Sequence, residues 1–228
     1  MEQFERTIQL IGQDAFMHLS KARVILFGCG GVGGWCAEAL VRTGVQDLTL
    51  VDFDVVAESN LNRQLAALNT NIGMPKVEAL KERLLAIQPQ ANIRLTSGKY
   101  EEATQADFDL NEYDYVIDAI DSVNDKALLI QNATKSTATL FSSMGAARKI
   151  DATQVRVSEF WKVEGCPLAR ALRTKMKKEK MLPTKKFQCV WSPEVSSVSG
   201  TIAPVVGAFG MTLAGLVVQD ICRKTCNN

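Results

Sequence analysis

The sequence has few of the residues that most often build metal centres. It contains one histidine, His18, and its six cysteines form no Cys-x-x-Cys pair. A structural zinc site usually needs four such ligands, so we expect no zinc. Cys222 and Cys226 lie four residues apart near the end of the sequence, without further candidate ligands, and we assign them no site. We expect reduced thiols.

The sequence also lacks a signal peptide pattern and a strong net charge. The segment Met1–Glu5 has neither the basic nor the apolar region of a secretory signal, and with reduced thiols this predicts a cytoplasmic protein. The net charge of +1 gives no global argument for a nucleic-acid or membrane partner. One segment differs, because residues 162–186 hold nine Lys or Arg against two Glu.

One long uncharged stretch, Thr201–Gln219, approaches the length of a membrane span. Pro204, Gly207 and Gly210 make it a poor lipid-facing helix, and a parallel sheet needs helices buried against both faces. The pattern favours a buried helix and no stable membrane association, with a membrane anchor as the open alternative.

Strand-like and helix-like segments alternate along the chain, which predicts an α/β fold with a doubly wound, mostly parallel Rossmann-like sheet. We expect one domain over residues 1–228, with a nucleotide-binding core at 20–150 and a substrate-facing, dimer-supporting extension at 151–228. An N-terminal helical arm precedes the core, and the basic segment forms an excursion in the C-terminal half. The predicted strands are 23–28, 47–53, 92–97, 113–119, 139–143, 154–157 and 187–191, and the predicted helices are 4–19, 33–43, 123–135, 202–222 and one that begins near Pro75.

A glycine-rich stretch, Gly28–Gly34, follows the first predicted strand and precedes the next helix. Glycines at such a turn let the backbone approach a phosphate, and the helix start favours negative charge. Asp52 ends the second strand 19 residues after Gly33, where a carboxylate can bind ribose hydroxyls. The pattern indicates a nucleotide but does not separate ATP from NAD.

Further polar residues favour a triphosphate. Arg63 and Lys76 add two cations soon after the glycine stretch, and these could hold phosphates and offset charge on a transferring group. Asp121 follows the fourth long strand and is the candidate Mg²⁺ ligand. Asp118 is either a second ligand or a structural residue.

Five motifs in this order resemble the ubiquitin-activating-enzyme-like superfamily that includes ThiF, MoeB and HesA. They are Gly28-x-Gly-Gly-x-Gly33, Val51-Asp-Phe-Asp54, Ser59-Asn-Leu-Asn-Arg-Gln64, Gly73-x-Pro-Lys76 and Asp118-Ala-Ile-Asp-Ser122. The resemblance implies a homodimeric enzyme that uses Mg²⁺ and ATP to adenylate a carboxylate. It implies catalytic roles for Arg63, Lys76, Asp121 and, from the partner subunit, Arg6, and it implies nucleotide binding by Gly28, Gly30, Gly31, Gly33, Asp52, Asp54, Asn60, Arg63, Gln64 and Lys76.

The C-terminal half resembles the tRNA threonylcarbamoyladenosine dehydratase branch of this superfamily, through Ser142–Ala147, Lys149–Thr153 and Pro167–Arg173. The resemblance implies ATP-dependent cyclisation of threonylcarbamoyladenosine at tRNA position 37. The basic segment could supply phosphate contacts, although a solvated loop is the alternative. Its candidate tRNA-binding residues are Arg170, Arg173, Lys175, Lys177 and Lys178.

The sequence leaves open the role of Cys189 and two alternative functions. Some superfamily members use a thiol to take the acyl group, but a strand cysteine beside Val190 and Trp191 is more often a small buried hydrophobe. The nearest alternative function is adenylation of a ubiquitin-like sulfur carrier protein, and a sulfur-transfer protein is a further candidate partner. The more distant alternative is a non-catalytic NAD-binding module.

Overall fold

The computed structural model describes residues 2–226, which form one seven-stranded sheet with helices on both faces. The strands run in the order β3-β2-β1-β4-β5-β7-β6, and every pair is parallel except β6 with β7. The strands are β1 (Arg23–Phe27), β2 (Asp47–Asp52), β3 (Asn92–Ser97), β4 (Tyr115–Asp118), β5 (Thr139–Ser143), β6 (Arg156–Glu159) and β7 (Gln188–Trp191). The α-helices are α1 (Glu5–Ile11), α2 (Gln13–Lys21), α3 (Gly31–Thr43), α4 (Lys76–Ile87), α5 (Val123–Lys135), α6 (Pro167–Lys178) and α7 (Ala203–Cys226).

The central strands are buried on both faces, as their uninterrupted apolar sequences require. β1 and β4 contain residues that are almost completely inaccessible to solvent, among them Val24, Leu26 and Ile117. One core layer joins the sheet to α3, α4 and α7, and the other joins it to α5 and α6. Because β1, β2, β4 and β5 are parallel, their carboxyl ends lie at the same edge of the sheet, where the predicted polar residues follow them.

The turn from β1 to α3 needs glycine at two positions. Gly28 has a φ of +92°, and a Cβ there would lie 2.7 Å from the Ala119 carbonyl oxygen. A Cβ on Gly33 would lie 1.8 Å from the Gly28 carbonyl oxygen. The absence of side chains allows α3 to begin directly over the end of the strand.

The long apolar helix α7 packs lengthwise against α3. A Cβ on Gly210 would lie 2.5 Å from the Val32 carbonyl oxygen, so the two backbones are close. By length and composition alone α7 could cross a membrane, yet 56% of its most apolar window is buried within the protein. This packing favours the interpretation as a buried core helix.

Several predicted boundaries differ from those of the structure. The N-terminal arm is two helices, because Gly12 adopts a φ of +84° between α1 and α2. α3 begins at Gly31, two residues earlier than predicted. The strand expected at 154–157 is instead β6, at Arg156–Glu159. It begins two residues later than predicted because Ala152–Gln154 forms a 3₁₀ turn capped by the Asp151 carboxylate. α7 extends beyond residue 222 to Cys226, without a helix breaker between them.

Replacing Gly33 with alanine should destabilise the protein, whereas the same change at Gly34 should not. The new methyl group at position 33 meets a backbone oxygen that cannot move freely, so Gly33→Ala should lower the free energy of unfolding by about 1–3 kcal/mol. At Gly34 the nearest atom is the Leu65 Cβ at 3.8 Å, and alanine favours helix by up to about 1 kcal/mol. Urea unfolding of both variants measures the difference, and equal stabilities would contradict the described turn.

Candidate nucleotide site

A cavity of about 420 Å³ opens at the carboxyl edge of the sheet, between the glycine turn and the loops after β2, β4 and β5. The structure brings most of the predicted site residues into its wall. They are Gly28, Gly30, Gly31, Asp52, Asp54, Asn60, Arg63, Gln64, Lys76 and Asp121. Gly33 is buried behind this wall, where it allows the turn to close.

The start of α3 faces the cavity and offers hydrogen-bond donors. Gly30 precedes the helix, and no side chain within residues 2–226 caps its first turn. The Cys29 backbone N–H donates to Asp52 Oδ2 over 2.6 Å, and the Asp54 N–H donates to Asp52 Oδ1 over 2.8 Å. Asp52 therefore fixes the glycine turn to β2, while the helix start is left for an anion.

Two cations reach the cavity from the segment that leads into α4. Lys76 is 8% exposed, and its Nζ lies 2.7 Å from Asp54 Oδ2. Arg63 donates through Nη1 to the Ser59 carbonyl oxygen and to Asn62 Oδ1, at 2.7 and 2.8 Å. Both cations are already oriented, so little side-chain freedom remains to be lost when an anion binds.

Asp118 is a structural residue, which settles the alternative left open by the sequence. Its side chain is fully buried and pairs with Lys126 Nζ at 2.8 Å, while Ser142 Oγ donates to it over 2.7 Å. Lys126 Nζ also donates to the Ile120 carbonyl oxygen over 2.9 Å. This buried network holds the loop that carries Asp121 into the cavity.

Lys126 was not among the residues that the sequence motifs predicted. The available signal was its place on the apolar face of α5, because residues 126, 130 and 133 recur at helical spacing. A lysine on such a face needs a buried partner, and Asp118 at the end of the neighbouring strand was the nearest candidate.

The predicted metal ligand, Asp121, is accessible from the cavity. Asp121 is exposed and lines the cavity together with Asp125. Within residues 2–226 there is no group of three or more His, Cys, Asp or Glu side chains arranged to hold a metal. Mg²⁺ needs no such group, since it is usually bound by one or two carboxylates together with phosphate oxygens.

Two other predicted residues lie away from the cavity. Cys189 is fully buried in β7, and burial raises the pKa of its thiol well above the usual value. An inaccessible, protonated thiol is a poor nucleophile, so the structure argues for the packing role that the sequence favoured. Arg6 is exposed on α1 and does not line the cavity of its own chain.

The predicted tRNA-binding cations lie on α6 and divide into two groups. Arg170, Arg173 and Lys177 line a second cavity of about 330 Å³ between α6 and residues 163–166. Lys175 instead pairs with Glu179 at 2.7 Å, and Lys178 is exposed outside that cavity.

Three further residues of the nucleotide cavity were not predicted from the sequence. They are Phe53, Lys99 and Tyr100. Phe53 is 56% exposed, and Lys99 Nζ lies 4.3 Å from its ring centroid. An exposed ring at the rim offers a flat surface to a base, and its position directly after Asp52 was the available signal.

Together, the parallel sheet, the glycine turn and the convergent cations define a nucleotide-binding α/β protein with a site for a polyphosphate. The chain belongs to the ThiF family, whose sequence model matches residues 4–228. This agrees with the superfamily resemblance carried by the motifs.

Similar proteins narrow the position within the family. The chain is 39% identical to the tRNA threonylcarbamoyladenosine dehydratase of Bacillus subtilis, over 85% of this chain and 76% of that protein. Its fold matches the crystal structure of the Escherichia coli tRNA N6-threonylcarbamoyladenosine dehydratase, TcdA, in complex with ATP, with a TM-score of 0.93 and 33% identity. That match covers 100% of this chain and 96% of the other. A Haemophilus influenzae molybdopterin-synthase adenylyltransferase is 31% identical over 90% of this chain and 75% of its own length.

Removing the cation of the buried pair should be costly because it leaves the Asp118 charge uncompensated. Lys126→Met should lower the free energy of unfolding by about 3–5 kcal/mol. Lys175→Met, which breaks an i,i+4 surface pair, should cost only about 0.3–0.5 kcal/mol. Urea unfolding gives both values.

The double variant Asp118→Asn with Lys126→Met removes both charges and should recover most of the lost stability. If Lys126→Met cost no more than the surface control, the ion pair would not stabilise the loop.

Proposed function

We propose that this protein catalyses the ATP-dependent dehydration of threonylcarbamoyladenosine at position 37 of tRNA, which closes the modification into a ring. The observation that carries the proposal is the meeting of helix-start N–H groups, Arg63, Lys76 and Asp121 in one cavity. Such a site suits a triphosphate whose α-phosphorus is attacked by a carboxylate. The similarity to proteins named tRNA threonylcarbamoyladenosine dehydratase supports the choice of substrate.

The glycine turn and its flanking residues bind ATP in this proposal. The N–H groups at the start of α3 receive phosphate oxygens, and Asp52 and Asp54 lie where the ribose would follow. Phe53 and Tyr100 border the position of the base. Asn60 and Gln64 are buried in the wall beside the phosphates.

The chemistry takes two steps. An oxygen of the threonylcarbamoyl carboxylate attacks the α-phosphorus of ATP, pyrophosphate leaves, and an acyl-adenylate forms. A nitrogen of the same modification then attacks the acyl carbon, loses its proton and expels AMP with one former carboxylate oxygen. The net change in the nucleoside is the loss of one water.

Three side chains serve the first step. Arg63 and Lys76 stabilise negative charge on the triphosphate as pyrophosphate departs. Asp121 would hold Mg²⁺, which supplies charge neutralisation at the phosphates when bound. Ring closure needs no enzyme nucleophile, since the attacking nitrogen is already held near the acyl carbon, and this fits the burial of Cys189.

The basic segment provides the path for tRNA. The first turn of α6 reaches the nucleotide cavity through Leu168, and Arg170, Arg173 and Lys177 continue along the same helix. Phosphate contacts of this kind position an RNA without reading its sequence. The modified base would then lie near the α6 start, beside the ATP phosphates.

We further propose a cytoplasmic homodimer in which Arg6 reaches the ATP of the partner subunit. Its exposure on α1, away from the cavity of its own chain, supports that assignment. The fold acts as one domain, because β6 and β7, which follow residue 151, extend the same sheet as the core strands. A sulfur-transfer partner stays a prediction from the family resemblance.

Adenylation of a sulfur carrier protein is the second candidate function. The similarity to a molybdopterin-synthase adenylyltransferase favours it, and it would use the same ATP site. The two functions differ in the substrate that enters beside the start of α6, which would be a carrier protein instead of a modified tRNA.

The substrate test compares AMP and pyrophosphate release with three additions to the purified protein. They are tRNA that carries threonylcarbamoyladenosine, the same tRNA without it, and a sulfur carrier protein. We expect release only with the modified tRNA, together with the mass loss of one water from the nucleoside. Release only with the carrier protein would replace the proposed substrate but keep the ATP site.

Substitutions within the site should separate its residues from bystanders. Lys76→Ala and Asp121→Ala should each lower kcat by about 10²–10³-fold, the range for removing one group that stabilises transition-state charge. Lys81→Ala lies on the same helix as Lys76 but outside the cavity, so it should leave kcat nearly unchanged. Steady-state AMP release measures all three. Full activity of Lys76→Ala would show that the site is misassigned.

A further inference from the structure

We propose that Trp161 is a stacking platform for an unpaired nucleobase of the tRNA, and that the adjacent cationic cavity on α6 receives the phosphate of that nucleotide. This inference rests on the proposed function, because it places a second contact for the same tRNA beside the nucleotide site. The observation that starts it is an exposed tryptophan next to a group of cations that have no carboxylate partner among the described residues 2–226.

Trp161 is exposed but firmly held. It lies in a short 3₁₀ turn, Phe160–Lys162, and its backbone N–H donates to the Glu159 carboxylate over 3.0 Å. Its indole is packed against the fully buried Phe160 ring, with the centroids 5.1 Å apart. Nevertheless 40% of Trp161 is exposed. An indole that is packed against a neighbouring ring and still partly exposed loses little freedom when a base stacks on it.

Two of the cations beside Trp161, Lys177 and Arg173, make contacts with aromatic rings of the protein. Lys177 Nζ lies 5.6 Å from the Trp161 ring centroid. The Arg173 guanidinium lies 5.7 Å from the Phe160 ring centroid and donates through Nη2 to the Val163 carbonyl oxygen. Arg173 Nε is buried and has no acceptor within residues 2–226.

The balance of charge in this cavity favours an anion. Arg170, Arg173 and Lys177 line it, against the single carboxylate of Glu164. Among the described residues 2–226, no carboxylate lies within salt-bridge distance of these three cations. By contrast, their neighbour Lys175 is paired with Glu179. The group on this face is free to bind a phosphate.

The position of the platform matches the proposed reaction. Leu168 lies in the wall of the nucleotide cavity, and Lys177 lies nine residues further along α6, about 13 Å at the rise of an α-helix. A strand that presents its modified base at the nucleotide cavity could thus place a base one or a few nucleotides away on Trp161. Aromatic side chains beside basic grooves bind unpaired bases in this way.

The principal test is the affinity for RNA of Trp161→Ala and Trp161→Phe in the full chain. The probe is tRNA that carries the modification, and the measured quantities are its KM in AMP release and the affinity for ATP alone. Trp161→Ala should raise the KM for tRNA roughly 5- to 150-fold, the range expected from the loss of one stacked base, without weakening ATP binding. Trp161→Phe should retain most of the affinity because phenyl still stacks.

Lys177 provides a second readout that a structural role would not move. Lys177→Ala should weaken binding and reduce the slope of log affinity against log salt by about 0.7, one lost phosphate contact. Lys186→Ala is the matched control, since Lys186 is an exposed cation of the same basic segment outside the cavity. It should leave that slope unchanged.

Tryptophan fluorescence reports the contact directly. Trp161 is the exposed tryptophan, while Trp35 is half-buried and Trp191 is buried. RNA binding should quench the tryptophan emission of the protein with its original sequence, and Trp161→Phe should abolish most of that quenching.

The outcomes separate this inference from the proposed function. If modified tRNA is turned over and Trp161→Ala keeps the same KM, the inference fails and the proposed function stands. If only a carrier protein supports AMP release and RNA causes no quenching, both fail. A loss of thermal stability by Trp161→Ala that accounts for the whole effect, with no difference between the Ala and Phe variants in KM, would also overturn the inference.

Discussion

A side chain has no room where the turn after β1 meets the end of β4, because a Cβ on Gly28 would lie 2.7 Å from the Ala119 carbonyl oxygen. This close approach sets two loops side by side. One presents the N–H groups at the start of α3, and the other presents the carboxylate of Asp121. The donor-rich helix start and the acidic loop therefore face the same volume, and the helix start is suited to the phosphates of a nucleotide.

The loop that carries Asp121 is held in place by an ion pair that is inaccessible to solvent. Asp118 and Lys126 are fully buried, and each also bonds to a neutral group, Ser142 or the Ile120 carbonyl oxygen. Such pairs seldom stabilise a fold more than apolar residues would, but their directional bonds specify one arrangement. In this protein the specified arrangement is the placement of the Asp121 carboxylate three residues further along the chain, in a site where small displacements are costly.

Much of this could be predicted from the sequence because it depends on local pattern. The apolar strands, the glycine turn and the order of Asp52, Arg63, Lys76 and Asp121 follow from spacing along the chain. Lys126 was missed although Asp118 lies only eight residues earlier in the chain, because helical spacing marks position 126 as buried without identifying its partner. The cavity on α6 was equally hidden, because only the folded chain separates the cations that line it from Lys175, which pairs within its own helix.

The last helix has a consequence for synthesis of the chain. α3 carries the phosphate-binding turn, and it is covered by α7, whose Val206 side chain lies within 3.2 Å of a Cβ built on Gly31. Thr201, just before α7, accepts a hydrogen bond from Asn62 through its carbonyl oxygen at 2.9 Å and lines the nucleotide cavity. A growing chain that has left the ribosome only as far as β5 therefore has its glycine turn and most of the cavity wall, but not the helix that covers α3 or the part of the wall formed by Thr201. The nucleotide cavity acquires its last lining residue, Val206, only when the start of α7 has emerged.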